Sequence, residues 1–163
     1  MRLFQNFGIS PSYRRHYLGL SRHAAGFHEK LDIFLNDRYG ASHILDPVYG
    51  TGSRAFFTLG DDETLQKTWA RAHGMPASSS GEDILVAQIE AHRTEVFYNI
   101  DPLRFGNKFL RRLPGSVRHT LAWRAAPSGG ADLSGYDKIV CNFPSILADY
   151  RQRGCREIGR AHV

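Results

Sequence analysis

The stretch from Tyr136 to Gly154 constrains the fold of this chain more than any other part of the sequence. Residues 138–142 (KIVCN) are short, β-rich and mostly apolar, as expected of a strand that is covered on both faces. Pro144 suits the first turn of a helix, where Ser145 and the side chain of Asn142 can accept hydrogen bonds from free amides. A strand that leads directly into a helix predicts a parallel α/β sheet, with ligands bound at the carboxyl ends of its strands.

Length and composition predict a single globular domain. The 163 residues can bury a core, and a composition of 42% hydrophobic and 23% charged residues argues against disorder. The sequence has no apolar run long enough to cross a bilayer, and its start lacks the apolar region of a signal peptide. Two cysteines, Cys141 and Cys155, suggest reduced thiols, so we expect a cytoplasmic protein. Neither has a partner at metal-ligand spacing, so no metal site is expected.

The net charge of +5 is unevenly distributed. Residues 102–131 contain no acidic side chain and six Arg or Lys side chains: Arg104, Lys108, Arg111, Arg112, Arg118 and Arg124. A basic segment of this kind attracts phosphate, nucleic acid or an anionic membrane surface. For most of these six residues, a solvated basic face is the simpler interpretation.

Periodicity and capping signals predict the remaining elements. We expect strands at 2–6, 42–47, 54–59, 95–99 and 117–123, and helices at 24–39, 61–73, 82–93 and 105–113, with a further helix starting at Ser10–Pro11. Gly40 is expected to cap the helix at 24–39, and Ser80 with Asp83 resembles a capping box. The acidic residues 61–63 are explained by helix capping rather than by metal binding or acid/base catalysis. The predicted fold is a Rossmann-like, mostly parallel sheet flanked by helices.

Three successive predicted strands end in polar residues that are followed by turn residues. Asn99 and Asp101 end one strand, Arg124 ends the next, and Asn142 and Ser145 end the third. In a parallel sheet these ends converge on one edge, where they would suit a polyhydroxylated or phosphorylated ligand. Spacing leaves an alternative open, in which Asn142 and Ser145 only cap a helix and Asp101 only starts a turn.

A glycine follows the first predicted strand. Gly8 there allows the backbone to approach a ligand closely. The sequence contains neither a dinucleotide-binding fingerprint nor a P-loop.

The runs FYNIDPLRF, LAWRAAPSGG and YDKIVCNFPSILADYRQRG resemble the amino-terminal domain of glycosyltransferases with the two-domain GT-B fold. The chain is most similar to the bacterial spore-maturation-like and family-1 or family-4-like members, and the opening MRLFQNFGISPSY resembles their first strand and loop. The resemblance covers residues 1–154. It implies an enzyme that transfers a sugar from a nucleotide-sugar donor to the hydroxyl of an acceptor saccharide or glycoconjugate.

The same resemblance implies a division of labour between two domains. In such enzymes the amino-terminal domain holds the acceptor, and a second domain that follows it holds the nucleotide-sugar donor. No part of this sequence matches that donor domain, so the fragment alone is expected to be inactive. No cofactor is implied beyond the nucleotide-sugar, and no metal. The family's catalytic base has no unambiguous match, which leaves Asp101, His16 and His119 as candidates.

Residues 157–163 (EIGRAHV) resemble the translation of a sequencing adapter, so we expect a domain at 1–154 followed by a non-native tail at 155–163. A rival interpretation is a non-enzymatic binding module that uses residues 102–131 for nucleic acid or an anionic surface. We expect no specific nucleic acid partner but allow peripheral membrane contact. A receiver-like or flavin-binding domain is less favoured, because no acidic cluster follows the first strand and no phosphate-binding loop is evident.

Overall fold

A six-stranded parallel sheet forms the centre of the computed structural model, which describes residues 1–40, 52–155 and 157–160. Its strands are β1 (Leu3–Phe7), β2 (Ala55–Leu59), β3 (Val96–Asn99), β4 (His119–Trp123), β5 (Lys138–Cys141) and β6 (Glu157–Arg160). They are arranged in the order β2-β1-β3-β4-β5-β6, and every neighbouring pair is parallel. The predicted α/β class with a parallel sheet is confirmed.

The helices lie between the strands in sequence, as expected of the crossover connections that join parallel strands. They are α1 (Pro11–Leu20), α2 (Phe27–Asp37), α3 (Glu63–Ala72), α4 (Gly81–Ala91), α5 (Asn107–Leu110) and α6 (Pro144–Gln152), with a 3-10 turn at Gly52–Arg54. Three begin at a predicted cap: the side chains of Ser10, Asp62 and Ser80 each accept a hydrogen bond from a first-turn amide of α1, α3 and α4. Within the described ranges, no helix has the length and apolar composition needed to cross a membrane.

Two predicted helix ends are wrong, and one predicted strand cannot be compared. Helix α2 ends at Asp37, and its C-cap is Arg38 in the left-handed conformation (φ 54°), two residues before Gly40. The N-cap of α6 is Phe143, which makes no side-chain capping bond. Because Pro144 occupies the first turn, the N-cap falls on Phe143, and Asn142 stands one residue too early to cap the helix. The strand predicted at 42–47 lies outside the described residues.

Helices cover both faces of the sheet. One cluster of buried side chains joins Phe7 and Phe57 of the sheet to α1, α2 and α3, with Phe34 of α2 fully buried. A second cluster joins Phe4 and Phe97 to α4 and α5. Since successive side chains of a strand point to opposite faces, Phe4 and Phe7 mark the two sides.

A third cluster packs α6 against the other end of the sheet, around the buried residues Ile139 and Tyr150. Beyond β5, residues 157–160 pair with it in parallel register, Lys138 opposite Glu157. The sequence assigns these residues to a tail outside the domain, but their backbone forms the sixth strand of the sheet.

Candidate functional site: the switch-point crevice

The strand order reverses direction at β1. The chain passes from β1 to β2 on one side of it and then crosses to β3 on the other. In open parallel sheets, such a reversal separates two neighbouring connections and leaves a crevice at the carboxyl ends of the strands, where ligands bind. This crevice, called here the switch-point crevice, has a volume of about 260 Å³. It is lined by Gly8, Ile9, Ser10, Asp61, Ile100, Asp101 and Arg104.

Asp61, which follows β2, holds the loop between β1 and α1. Its carboxylate accepts hydrogen bonds from the Ile9 amide at 3.2 and 3.3 Å, and Nη2 of Arg14 lies 2.5 Å from its Oδ2. The side chain is only 3% exposed. Burial raises the pKa of Asp61; Arg14 and the Ile9 amide oppose that shift, and the charge of Asp101 adds to it. Asp61 therefore fixes the wall of the crevice and leaves little of its carboxylate for a ligand.

Asp101, which follows β3, is the more accessible carboxylate. Its side chain is 25% exposed, and its Oδ2 lies 3.1 Å from Nε of Arg104. Gly8 approaches it so closely that a Cβ added there would lie 2.9 Å from Oδ2. The predicted close approach at Gly8 is thus an approach to Asp101, and a larger residue at position 8 would displace the carboxylate.

A buried relay of side-chain amides lies directly behind the crevice. Asn6 Nδ2 donates to Asn99 Oδ1 at 2.8 Å, and the Gly60 amide donates to Asn6 Oδ1 at 2.8 Å. Asn99 Oδ1 also accepts from the Asp101 amide at 3.0 Å. These bonds connect the carboxyl ends of β1, β2 and β3, so they set the positions from which both crevice carboxylates extend.

The other end of the relay reaches the segment before β5. Asn99 Nδ2 donates to the carbonyl of Phe105 and to the Tyr136 hydroxyl, which in turn donates to the same carbonyl. Burial raises the pKa of Tyr136 well above its usual range, so the hydroxyl keeps its proton. Asn99 is fully buried and uses both atoms of its amide internally. Asn99 therefore does not present its amide to a ligand in the crevice, although the sequence predicts such a contact. Instead, it positions Asp101 and the loop at Phe105.

The remaining predicted binding residues lie away from the switch-point crevice. Arg124, at the end of β4, donates to the Pro127 carbonyl at 3.0 and 3.3 Å. Asn142 and Ser145, beyond β5, are exposed. Neighbouring strands are about 4.8 Å apart, so the end of β5 is about 10 Å from that of β3. The predicted convergence on one edge is confirmed, but the polar groups divide between two places along it.

The two histidine candidates are not part of the crevice lining. His119 begins β4, opposite Val96 at the start of β3, and so lies at the amino edge of the sheet. A strand of five residues puts about 13 Å between that edge and the carboxyl edge. His16 is exposed on α1, with Nε2 3.3 Å from Asp37 at the end of α2. Of the three candidate bases, only Asp101 lines the crevice.

Sequence reasoning alone does not identify Asp61, Arg14 and Arg104 as site residues. The sequence attributes Asp61 to capping, and the structure gives the capping role to its neighbour Asp62. The sequence does contain one signal for Asp61. Gly60 and Asp61 follow the end of a predicted strand, and a position at a strand end is also the criterion that selects Asp101.

Three of the six Arg and Lys side chains in the basic segment 102–131 make ion pairs or hydrogen bonds within the described part of the chain. Arg104 pairs with Asp101, Arg112 pairs with Glu82 and Asp83, and Arg124 bonds to a carbonyl. The other three, Lys108, Arg111 and Arg118, are exposed. Within the described residues, no group of three or more His, Cys, Asp or Glu side chains is placed to hold a metal ion.

Comparison with known proteins yields no relative. The chain matches no protein-family model, no curated protein and no solved structure.

Proposed function

We propose that this chain is the acceptor-binding domain of a glycosyltransferase and that the acceptor hydroxyl binds at Asp101 in the switch-point crevice. The observation that carries the proposal is the position of Asp101: a partly exposed carboxylate at the topological switch point of a parallel sheet. The resemblance of residues 1–154 to the amino-terminal domain of GT-B glycosyltransferases agrees with that position.

The charges around the crevice favour a neutral, polyhydroxylated ligand. Each carboxylate faces one guanidinium, Asp61 with Arg14 and Asp101 with Arg104. The balance leaves no excess positive charge to select a phosphate, while the partly exposed carboxylate oxygens of Asp101 offer hydrogen-bonding groups to sugar hydroxyls. The buried relay holds these groups in place before the ligand arrives, which lowers the entropic cost of binding.

In the two-domain enzyme implied by the resemblance, Asp101 would act as the general base. Its carboxylate would accept the proton of the acceptor hydroxyl while that oxygen bonds to the anomeric carbon of the nucleotide-sugar. The bond between the anomeric carbon and the diphosphate oxygen breaks, and the leaving nucleotide carries away the negative charge. Arg104 would orient Asp101 during the transfer. The free, buried thiols of Cys141 and Cys155 agree with the cytoplasmic location expected for this protein.

Saccharide binding by the chain itself tests the proposal. We expect neutral saccharides to shift amide signals of Gly8, Ser10 and Asp101 in ¹⁵N-correlated NMR spectra, and Asp101→Asn to weaken that binding at least tenfold. Asp32→Asn, an exposed change on α2, is the matched control and should leave binding unchanged. Retained affinity in Asp101→Asn, with the fold intact, would refute the proposal.

Salt dependence separates this function from the rival binding module. Binding of a neutral saccharide should be nearly independent of salt, whereas binding of nucleic acid through the basic segment would weaken steeply as salt is added. Tight, salt-sensitive binding of RNA or DNA that is lost on neutralising Lys108 and Arg111 would favour the rival.

A further inference from the structure

A second and larger cavity opens beside the switch-point crevice. It lies between the first turns of α3 and α4 and the loop after β3, and its volume is about 460 Å³. Its walls include Gln66, Lys67, Gly81 and Phe105. We call it the α3–α4 cleft.

The cleft and the crevice share two walls. Asp61 and Arg104 line both cavities. Arg104 is mostly exposed and is held at the boundary by its ion pair with Asp101. A ligand seated at Asp101 and extending past Arg104 would therefore enter the α3–α4 cleft.

The two volumes indicate that the crevice alone is a small site. Pockets for small molecules usually measure about 300–1,000 Å³, and the crevice at about 260 Å³ falls below that range. The cleft, at about 460 Å³, falls within it. The larger share of any extended ligand would thus lie in the cleft.

The lining of the cleft matches a neutral hydroxylated chain. Gln66 is 1% exposed and donates through Nε2 to Thr58 Oγ1 and the Leu59 carbonyl, while its Oε1 has no hydrogen-bond partner within the described part of the chain. Glu63 supplies a further acceptor, and Phe105 with Ile84 supplies an apolar wall. Acceptor oxygens of this kind receive hydrogen bonds from hydroxyl groups, and the carboxylates oppose a phosphorylated ligand.

Lys67 stabilises the shape of the cleft. Its Nζ donates to the carbonyls of Ala77 at 2.6 Å and Ser79 at 2.7 Å, which ties the loop before α4 to the side of α3. The first turn of α4 is further fixed by the capping box of Ser80 and Asp83. The cleft is therefore formed before a ligand binds.

From these observations we infer that the α3–α4 cleft is a second saccharide subsite, so that the acceptor is an oligosaccharide of at least two units. The inference rests on the proposed function. The reacting unit would lie at Asp101, and the next unit would lie in the cleft between Gln66 and Phe105.

Saccharides of increasing length test the inference on the intact chain. We would titrate the protein with each of two series of saccharides and follow its amide shifts by NMR. One series is N-acetylglucosamine and its β-1,4-linked dimer and trimer, and the other is glucose, maltose and maltotriose. In at least one series the disaccharide should bind about tenfold more tightly than the monosaccharide, with new shifts at Gln66 and Gly81. Tenfold corresponds to about 1.4 kcal/mol.

A steric block identifies the subsite. Gly81 lines the cleft, and a Cβ added there meets no atom within 4 Å, so Gly81→Phe adds a ring without a clash at its Cβ. Gly81→Phe should reduce disaccharide affinity to that of the monosaccharide and leave monosaccharide affinity unchanged. Gly19→Phe, which adds the same ring in open space on α1, should leave both unchanged.

The outcomes separate failure of the subsite from failure of the proposed function. If monosaccharides bind through Asp101 but longer saccharides bind no more tightly, or if Gly81→Phe has no effect, the inference is overturned and the proposed function stands. If no saccharide binds at all, the proposed function fails and the subsite with it.

Discussion

Replacing Tyr136 with phenylalanine removes one hydroxyl from the buried relay and leaves its apolar ring in place. The hydroxyl accepts from Asn99 Nδ2 and donates to the Phe105 carbonyl. Two buried hydrogen bonds, each contributing about 0.5–1.5 kcal/mol, are lost. Part of that loss is offset, because Asn99 Nδ2 keeps its own bond to the Phe105 carbonyl at 3.3 Å. We expect the free energy of unfolding to fall by about 1–2 kcal/mol.

Urea unfolding measures this loss. With a slope of about 2 kcal/mol per molar urea, the midpoint should fall by roughly 0.5–1 M at an unchanged slope. Tyr98→Phe on β3 is the matched control, since the Tyr98 hydroxyl makes no hydrogen bond within the described part of the chain and burial raises its pKa to about 12. Equal shifts in the two variants, or none in Tyr136→Phe, would show that the relay does not stabilise the fold.

The same variant has a pH signature. The pKa of Tyr136 is raised in the folded state, so its contribution to stability is fully present below the unfolded value of about 10 and is lost as pH rises beyond it. A folded-state pKa that is higher than the unfolded one by 1 corresponds to about 1.4 kcal/mol. Wild-type stability should therefore decline above pH ~10 more steeply than that of Tyr136→Phe. Parallel declines in the two proteins would contradict the assigned environment of the hydroxyl.

Two further changes test the surroundings of the crevice. Gly60→Ala places a Cβ 2.3 Å from Asn6 Oδ1, so overpacking and loss of the Gly60 amide bond should cost about 2–4 kcal/mol in thermal or urea unfolding. Gly115→Ala, where a Cβ meets nothing, should stay within about 0.5 kcal/mol of wild type, and equal effects at both glycines would refute the packing argument. In the α4 capping box, hydrogen bonds from Ser80, together with one from Arg112, lower the pKa of Asp83 to about 2, so its stabilising contribution is present above the unfolded value of about 3.9 and is lost as pH falls toward 2. The stability difference between wild type and Asp83→Asn should therefore shrink on acidification, and a difference that grows would contradict the assigned capping bonds.

Sequence reasoning predicts the fold class because the signals for it are local. Strand composition, caps at Ser10 and Ser80, and the βα unit at residues 138–154 depend on neighbours within a few residues. From these, the parallel sheet and the shared edge of the strand ends follow. The order of strands depends on contacts between distant parts of the chain, and no local pattern encodes that β1 lies between β2 and β3.

The site is predictable only in part for the same reason. Asp101 and Gly8 qualify as strand-end residues, and the structure brings them into contact distance. Asn99 meets the same criterion, but only the strand order reveals that it faces Asn6 in the interior. Arg124 is expected from sequence to meet a ligand, and its bond to the Pro127 carbonyl depends on a loop conformation that composition does not specify.

The position of β1 in the middle of the sheet also affects how the protein is made. Asn6 and Asn99, which join the strands on either side of the crevice, are 93 residues apart in the chain. At about 5–20 residues per second, a ribosome needs roughly 5–20 s to add the residues between them. During that interval β1 has been synthesised but lacks at least one of its two neighbouring strands, so at least one edge of its backbone is unpaired. The nascent chain must keep the hydrophobic strand Leu3–Phe7 from pairing elsewhere until Val96–Asn99 emerges.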